Sequence, residues 1–310
     1  MRREDGAERK NHAMKKMFAL TLMLLVSAMI AGTALASEAK PKEDKRGILI
    51  ASFGTSMPEA KKAIDNLVDS AKAAFPETEV RIAYTSNIIR RKLAREQNVV
   101  IPTPAEALAQ MNDEGFTHVC VMPMHIIPGE EYDDIASLVN GFAQIRGKYG
   151  FKELKLGQPY LATVKDCDVM AQILVKRFDK ELAQKGTAIV LMGHGTPEHI
   201  ANALYAQLQL SLDAAAPGRF FVGTVEAAPT IDNVIAGLKR EKPKALVLSP
   251  FMIVAGDHAN NDLAGADDDE SWINVLKAAG FKNISTKLVG LGEDPNMAEL
   301  FVAKIKDMMK

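Results

Sequence analysis

The sequence predicts an α/β protein built as two similar lobes, each a parallel sheet flanked by helices. Three observations carry that prediction. From Gly47 onward, short apolar runs alternate with amphipathic stretches, and near-continuous apolar strands joined by helices form parallel sheets covered on both faces. The chain has 310 residues, enough for one large α/β domain or two smaller lobes. The pattern also repeats. I-L-I-A-S-F-G-T followed by M-P-M-H-I-I-P-G-E-E-Y-D-D in the first half answers to I-V-L-M-G-H-G-T followed by L-S-P-F-M-I-V-A-G-D-H-A-N-N-D in the second.

The elements follow in order. Lys15 and Lys16 precede M-F-A-L-T-L-M-L-L-V-S-A-M-I-A-G, and T-A-L-A-S then offers a small-residue exit ending at Ala36. A positive start, a short apolar stretch and such an exit mark a secretory signal peptide. The stretch is short for a membrane-spanning helix, which needs about 20 residues, and an uncleaved membrane anchor is the alternative reading. Residues 1–36 are therefore expected to be removed on export, with Met14 a more natural start than Met1. The mature chain is expected in the periplasm, without stable membrane insertion, and residues 37–46 read as a polar leader. The first lobe, 47–165, opens on G-I-L-I-A-S-F, and Pro58 suits the first turn of the helical stretch that follows. Its other strands are V-R-I-A-Y-T, V-C-V-M-P-M-H-I and L-K-L-G. The second lobe, 166–310, carries A-I-V-L-M-G, F-F-V-G-T-V, A-L-V-L-S-P-F-M-I-V and S-T-K-L-V-G-L, and its last helix has room to pack back on the first lobe.

Met122, Met124 and Met252 sit in apolar runs and read as core, and Trp272 reads as the anchor of its helix. Cys120 lies within a strand pattern and reads as a buried small hydrophobe, while Cys167 opens a helical stretch. An oxidising compartment leaves a disulfide between them open, because sequence carries no geometry. The net charge of −1 and the lack of basic–aromatic interleaving exclude a nucleic-acid binder. A small molecule, a metal or another chain is the expected partner.

L-M-G-H-G-T-P places His194 between two glycines at the end of an apolar run. Locally, it reads either as a turn histidine facing solvent or as a base or ligand at the mouth of a cleft. The repeat favours the second reading. Superposing the halves sets Phe53 against His194 and Glu131 against His258, all at strand exits, where open α/β sheets bind ligands. Two imidazoles and a carboxylate suit divalent cobalt, nickel, iron or zinc, and their long separations differ from the short ligand pairs of a zinc finger. The flanking glycines allow a bulky flat ligand to approach closely.

On I-A-S-F-G-T-S, Y-T-S-N-I-I-R-R-K-L, H-I-I-P-G-E-E-Y, M-G-H-G, V-A-G-D-H-A-N-N-D, D-D-D-E-S-W and G-L-G-E-D-P, the chain resembles the anaerobic-type sirohydrochlorin cobaltochelatases, class II tetrapyrrole chelatases that use no ATP. The resemblance spans nearly all of the chain after the leader. It implies a chelatase-like fold with the macrocycle between the lobes, His194, Glu131 and His258 as metal ligands, and Co²⁺ insertion into sirohydrochlorin with loss of two pyrrole protons. The absence of a Walker-type glycine loop agrees. His194 is the expected principal base, with His258 a ligand and second base. The macrocycle's carboxylates call for cations, so Arg90, Arg91 and Lys92 are candidates, with Thr85 and Ser86 adding hydrogen bonds. His125 corresponds to a family histidine and is a candidate for lining the cleft. His199 reads as a surface residue, His118 has no evident partner, and Asp267 to Glu270 read as a solvated loop. Fe²⁺ and Ni²⁺ also suit the ligands. Export leaves haem open as a further ligand with no axial residue assigned, and a homo-oligomer is expected. A two-lobed periplasmic carrier of a tetrapyrrole or metal is the competing reading, and a zinc hydrolase a weaker one.

Overall fold

The chain is described from a computed structural model that covers Met14 and residues 43–310. The expected signal peptide (Met14 apart) and residues 37–42 of the leader lie outside the described residues. Alternation within each strand explains how the sheets are covered. In β1 (Arg46–Ser52), Ile48 and Ile50 face one core while Leu49 and Ala51 face another. In β5 (Thr187–Gly193), Ile189 and Leu191 join the same core as Ile48, and Ala188, Val190 and Met192 face a third. A strand with both faces apolar must be covered on both.

The first sheet comprises β1, β2 (Glu79–Tyr84), β3 (His118–Pro123) and β4 (Glu153–Leu156), in the order β2-β1-β3-β4. The second comprises β5, β6 (Phe220–Thr224), β7 (Ala245–Pro250) and β8 (Ile284–Thr286), in the order β6-β5-β7-β8. Every pairing is parallel. The repeat is therefore a repeat of topology. Equivalent backbone bonds fix its register: Ser86 N–H donates to Phe53 O (3.3 Å) as Glu226 N–H does to His194 O (3.0 Å), and Met124 N–H donates to Ala51 O as Phe251 N–H does to Met192 O.

The helices are α1 (Pro58–Ala74), α2 (Asn87–Gln97), α3 (Pro104–Asp113), α4 (Glu130–Gln144), α5 (Val164–Arg177), α6 (Asp179–Leu182), α7 (Ala203–Ala215), α8 (Ile231–Glu241), α9 (Trp272–Ala278) and α10 (Pro295–Met308). Pro58 stands at the first turn of α1. The outer face of the first sheet is covered by α3 and α4, and that of the second by α8 and α9 with Trp272 buried among them. Residues from α1, α5, α7 and α10 share one continuous core between the inner faces, and α10 packs against α1. No helix among the described residues is long and apolar enough to cross a membrane.

Two apolar runs depart from the expected strands. After Pro250, Met252 and Ile253 accept backbone bonds from Leu291 and Gly292 in place of a neighbouring strand. The run S-T-K-L-V-G-L is strand only over Ile284–Thr286. Its end instead packs on α1, where Asn66 Nδ2 donates to Gly292 O at 2.7 Å and a Cβ on Gly292 would meet Ala63 O at 2.6 Å.

One insertion breaks the symmetry. Tyr84 N–H donates to Pro102 O and, equivalently, Thr224 N–H to Pro229 O. Residues 85–101, carrying α2, fill this interval in the first lobe, against only 225–228 in the second.

Candidate active site

His194 leaves the end of β5 and His258 follows β7, which pairs beside β5. Gly195 makes the exit possible: its φ of +84°, like the +95° of Gly54 in the first lobe, is a left-handed conformation that suits glycine. The two imidazole rings meet edge to face, with centroids 4.8 Å apart and planes at 84°. Glu226, at the exit of the other neighbouring strand, β6, brings Oε2 to 3.6 Å from His194 Nδ1. The side chains stay 38–44% exposed, so a solvated ion can reach them.

The hydrogen bonds assign the tautomers. His194 Nδ1 lies 2.8 Å from Gly195 O, a pure acceptor, so this nitrogen donates and the lone pair sits on Nε2. His258 Nδ1 lies 2.5 Å from Asp262 Oδ2. An ionised carboxylate only accepts, so the lone pair is again on Nε2. Both imidazoles thus hold a free nitrogen suited to a borderline divalent metal or a proton. No three His, Cys, Asp or Glu side chains among the described residues stand close enough to hold a metal as they are. Coordination here requires side-chain rotation, since His194 turns Nδ1 toward Glu226.

Glu131 lies elsewhere. It is exposed in the first turn of α4 and lines a depression of about 620 Å³ with Phe53, Thr85, Ser86 and Ile88, whose lining includes neither histidine. The backbone equivalences explain this placement. Phe53, Ser86 and Glu131 occupy in the first lobe the positions that His194, Glu226 and His258 occupy in the second. The carboxylate beside His194 is Glu226, and the one beside His258 is Asp262. Sequence reading passed over Glu226, although the exits of β2 and β6, aligned through the Pro-Thr pairs at 102–103 and 229–230, point to it.

The other candidates separate. Arg90 is committed to the fold: Nε donates to Ile101 O (2.7 Å), and the guanidinium meets Asn87 Oδ1 (3.0 Å) and Glu106 Oε2 (2.6 Å). Arg91 is exposed and makes no hydrogen bond or ion pair among the described residues. Lys92 is exposed near Glu96. Ser86 caps α2, accepting from Ile89 N–H, and Thr85 Oγ1 is buried without a partner. His125 is half-buried, with both ring nitrogens buried and unpartnered, and burial holds its pKa down at about 4. His199, expected at the surface, pairs there across the lobes. Its Nδ1 accepts from Ala201 N–H and its Nε2–H donates to Asp133 Oδ2 at 3.1 Å, while Glu130 N–H donates to Thr196 Oγ1. His118 Nδ1 lies 2.9 Å from Thr117 Oγ1. Cys120 and Cys167 are buried free thiols. A separate groove of about 540 Å³ runs along edge strand β6, where Gln209 bonds Phe220 O and Val222 N–H as a neighbouring strand would.

A doubled parallel α/β fold with two exposed imidazoles at adjoining strand exits, each beside a carboxylate, is the class of structure the chain defines. Residues 46–310 match the cobalt chelatase (CbiK) family, and the chain belongs to that family. It is 35% identical over 263 residues to the sirohydrochlorin cobaltochelatase of Salmonella typhimurium, covering 84% of this chain and 95% of that protein. It is 34% identical over 240 residues to sirohydrochlorin cobaltochelatase CbiKC of Nitratidesulfovibrio vulgaris, covering 77% and 82%. Among solved structures, SirB from Bacillus subtilis with Fe³⁺ aligns with a TM-score of 0.58 at 15% identity, covering 85% of this chain and 95% of that one. CbiX, described as the terminal enzyme of sirohaem biosynthesis in denitrifying bacteria, aligns at 0.54 and 17%, covering 86% and 100%. These two share the fold.

Proposed function

We propose that this protein inserts Co²⁺ into sirohydrochlorin, exchanging the metal for two pyrrole protons. The observation that carries the reading is the edge-to-face pair of imidazoles whose Nδ1 atoms are both engaged, which leaves both Nε2 atoms free, with Glu226 beside His194 on its Nδ1 side. The exchange balances without a nucleotide: one dication enters the ring and two protons leave. His194 and His258 each offer one nitrogen that binds metal or accepts a proton, and Glu226 offsets the metal's charge while it is held. Distorting the macrocycle would expose its nitrogens, drawing on binding energy at the ring periphery. Arg91 and Lys92 are the cations available for its carboxylates. Export of the mature chain to the periplasm is part of the proposal, resting on residues 15–36.

The test is an anaerobic absorbance assay of the purified chain with sirohydrochlorin and Co²⁺, beside His194→Ala and Glu226→Gln. Catalytic conversion by the wild type, lost in His194→Ala and reduced about 10-fold or more in Glu226→Gln, supports the reading. Tight retention of an unmetallated ligand would make the protein a carrier. Parallel assays with Fe²⁺ and Ni²⁺ set the metal preference.

A further inference from the structure

We infer that Asp262 is a positioning residue for His258, fixing its ring and supplying the second negative charge beside the metal. The inference rests on the reading of His258 as a metal ligand. Asp262 Oδ2 lies 2.5 Å from His258 Nδ1, four residues back along the chain. That bond is the only one the Asp262 side chain makes among the described residues. His258 precedes a π-helical turn, Ala259–Leu263, and Asp262 lies within it, a wide turn of a kind frequent at functional sites.

The turn is braced around them. Asn260 Nδ2 donates to Gly256 O at 2.7 Å and Asn261 Nδ2 to Asp257 Oδ1 at 2.9 Å, while Ala259 and Leu263 are buried beneath. The backbone that carries Asp262 is therefore braced by contacts other than the His258–Asp262 bond.

The fold itself does not require the pair. In the first lobe the equivalent of His258 is Glu131, and the equivalent of Asp262 is Ile135, buried in the outer core. The carboxylate is present where the imidazole is present and absent where it is absent. His194, by contrast, is held by the neutral Gly195 carbonyl. A carboxylate acceptor on one imidazole nitrogen fixes the tautomer and raises the donor strength of the other. With Glu226 it also gives the corner two negative charges against the two positive charges of Co²⁺.

The experiment is a Co²⁺ titration of the full chain, followed by calorimetry and by the visible absorption of bound cobalt, on wild type, His258→Ala, Asp262→Ala and Asp262→Asn. Asp262→Ala is expected to weaken Co²⁺ binding about 10–100-fold. It should raise KM for the metal while leaving KM for sirohydrochlorin unchanged. Asp262→Asn, which keeps shape and an acceptor but not the charge, is expected to fall between, with an unchanged urea midpoint. If His258→Ala loses cobalt while both Asp262 variants bind it like wild type, the positioning role is overturned and His258 remains a ligand. If His258→Ala also binds cobalt like wild type, the reading of His258 fails, and the role of Asp262 with it.

Discussion

His125 offers a quantitative test of the buried core, because the second lobe supplies its own control. Tyr160 N–H donates to His125 O as Leu291 N–H does to Met252 O, so the two positions are equivalent. The first lobe buries an imidazole where the second places a thioether. Both ring nitrogens of His125 are cut off from water and partners, and burial holds the pKa at about 4, against about 6.5 for a free imidazole. The folded value lies below the unfolded one, so the unfolded chain takes up the proton first on acidification. Stability is therefore full above pH ~6.5 and falls as pH drops toward 4. Between pH 7 and pH 5 a shift of this size removes about 2 kcal/mol. His125→Met abolishes that dependence and removes two orphaned polar atoms, which cost about 1–3 kcal/mol each when buried unsatisfied. Urea unfolding of wild type and His125→Met at both pH values measures this, with other titrating groups cancelling in the difference. The variant is expected to be more stable at pH 7 and to gain about 2 kcal/mol more over wild type at pH 5. Parallel losses in the two proteins would mean that the ring is hydrated, and the reasoning would fail.

Further outcomes follow from single contacts. Arg177 and Asp294 form a buried pair at 3.1 Å, with the guanidinium also on Val289 O and Gly290 O; Arg177→Ala is expected to cost about 3–5 kcal/mol in urea unfolding. Arg90→Ala is expected to lower the unfolding midpoint by freeing α2, whereas Arg91→Ala should weaken sirohydrochlorin binding in a spectral titration and leave the midpoint in place. Burial raises the pKa of both thiols, that of Cys167 to about 11, so an aromatic disulfide reagent should find no reactive thiol in the native protein and two in urea. His199→Ala and Asp133→Ala should change stability by no more than about 1 kcal/mol. Both should speed hydrogen exchange of the 195–202 amides, and unchanged exchange would show that the bridge does not hold that loop.

The repeat was legible because it is local. I-A-S-F-G-T and L-M-G-H-G-T each combine a strand's apolar run with the glycine turn that ends it, and those signals need no knowledge of the fold. The same holds for Pro58 at the start of α1. The insertion 85–101 was harder to see, since its helix reads like any other until the Tyr84–Pro102 and Thr224–Pro229 bonds reveal what it interrupts. The superposition that paired Glu131 with His258 identified equivalent positions, and equivalent positions in two lobes are different places in space. Glu226 escaped notice for the converse reason: V-G-T-V-E carries no motif. Its carboxylate reaches His194 only because β6 pairs beside β5.

The sequence alone therefore determined the strands, the doubling and the two histidines, through apolar periodicity and turn residues that act over a few neighbours. The tertiary structure decided which carboxylates stand beside them, which arginine is tied into the fold and which histidine has both ring nitrogens buried. The order β6-β5-β7 brings three distant strand exits to one corner, and no run of adjacent residues records which strands will lie side by side.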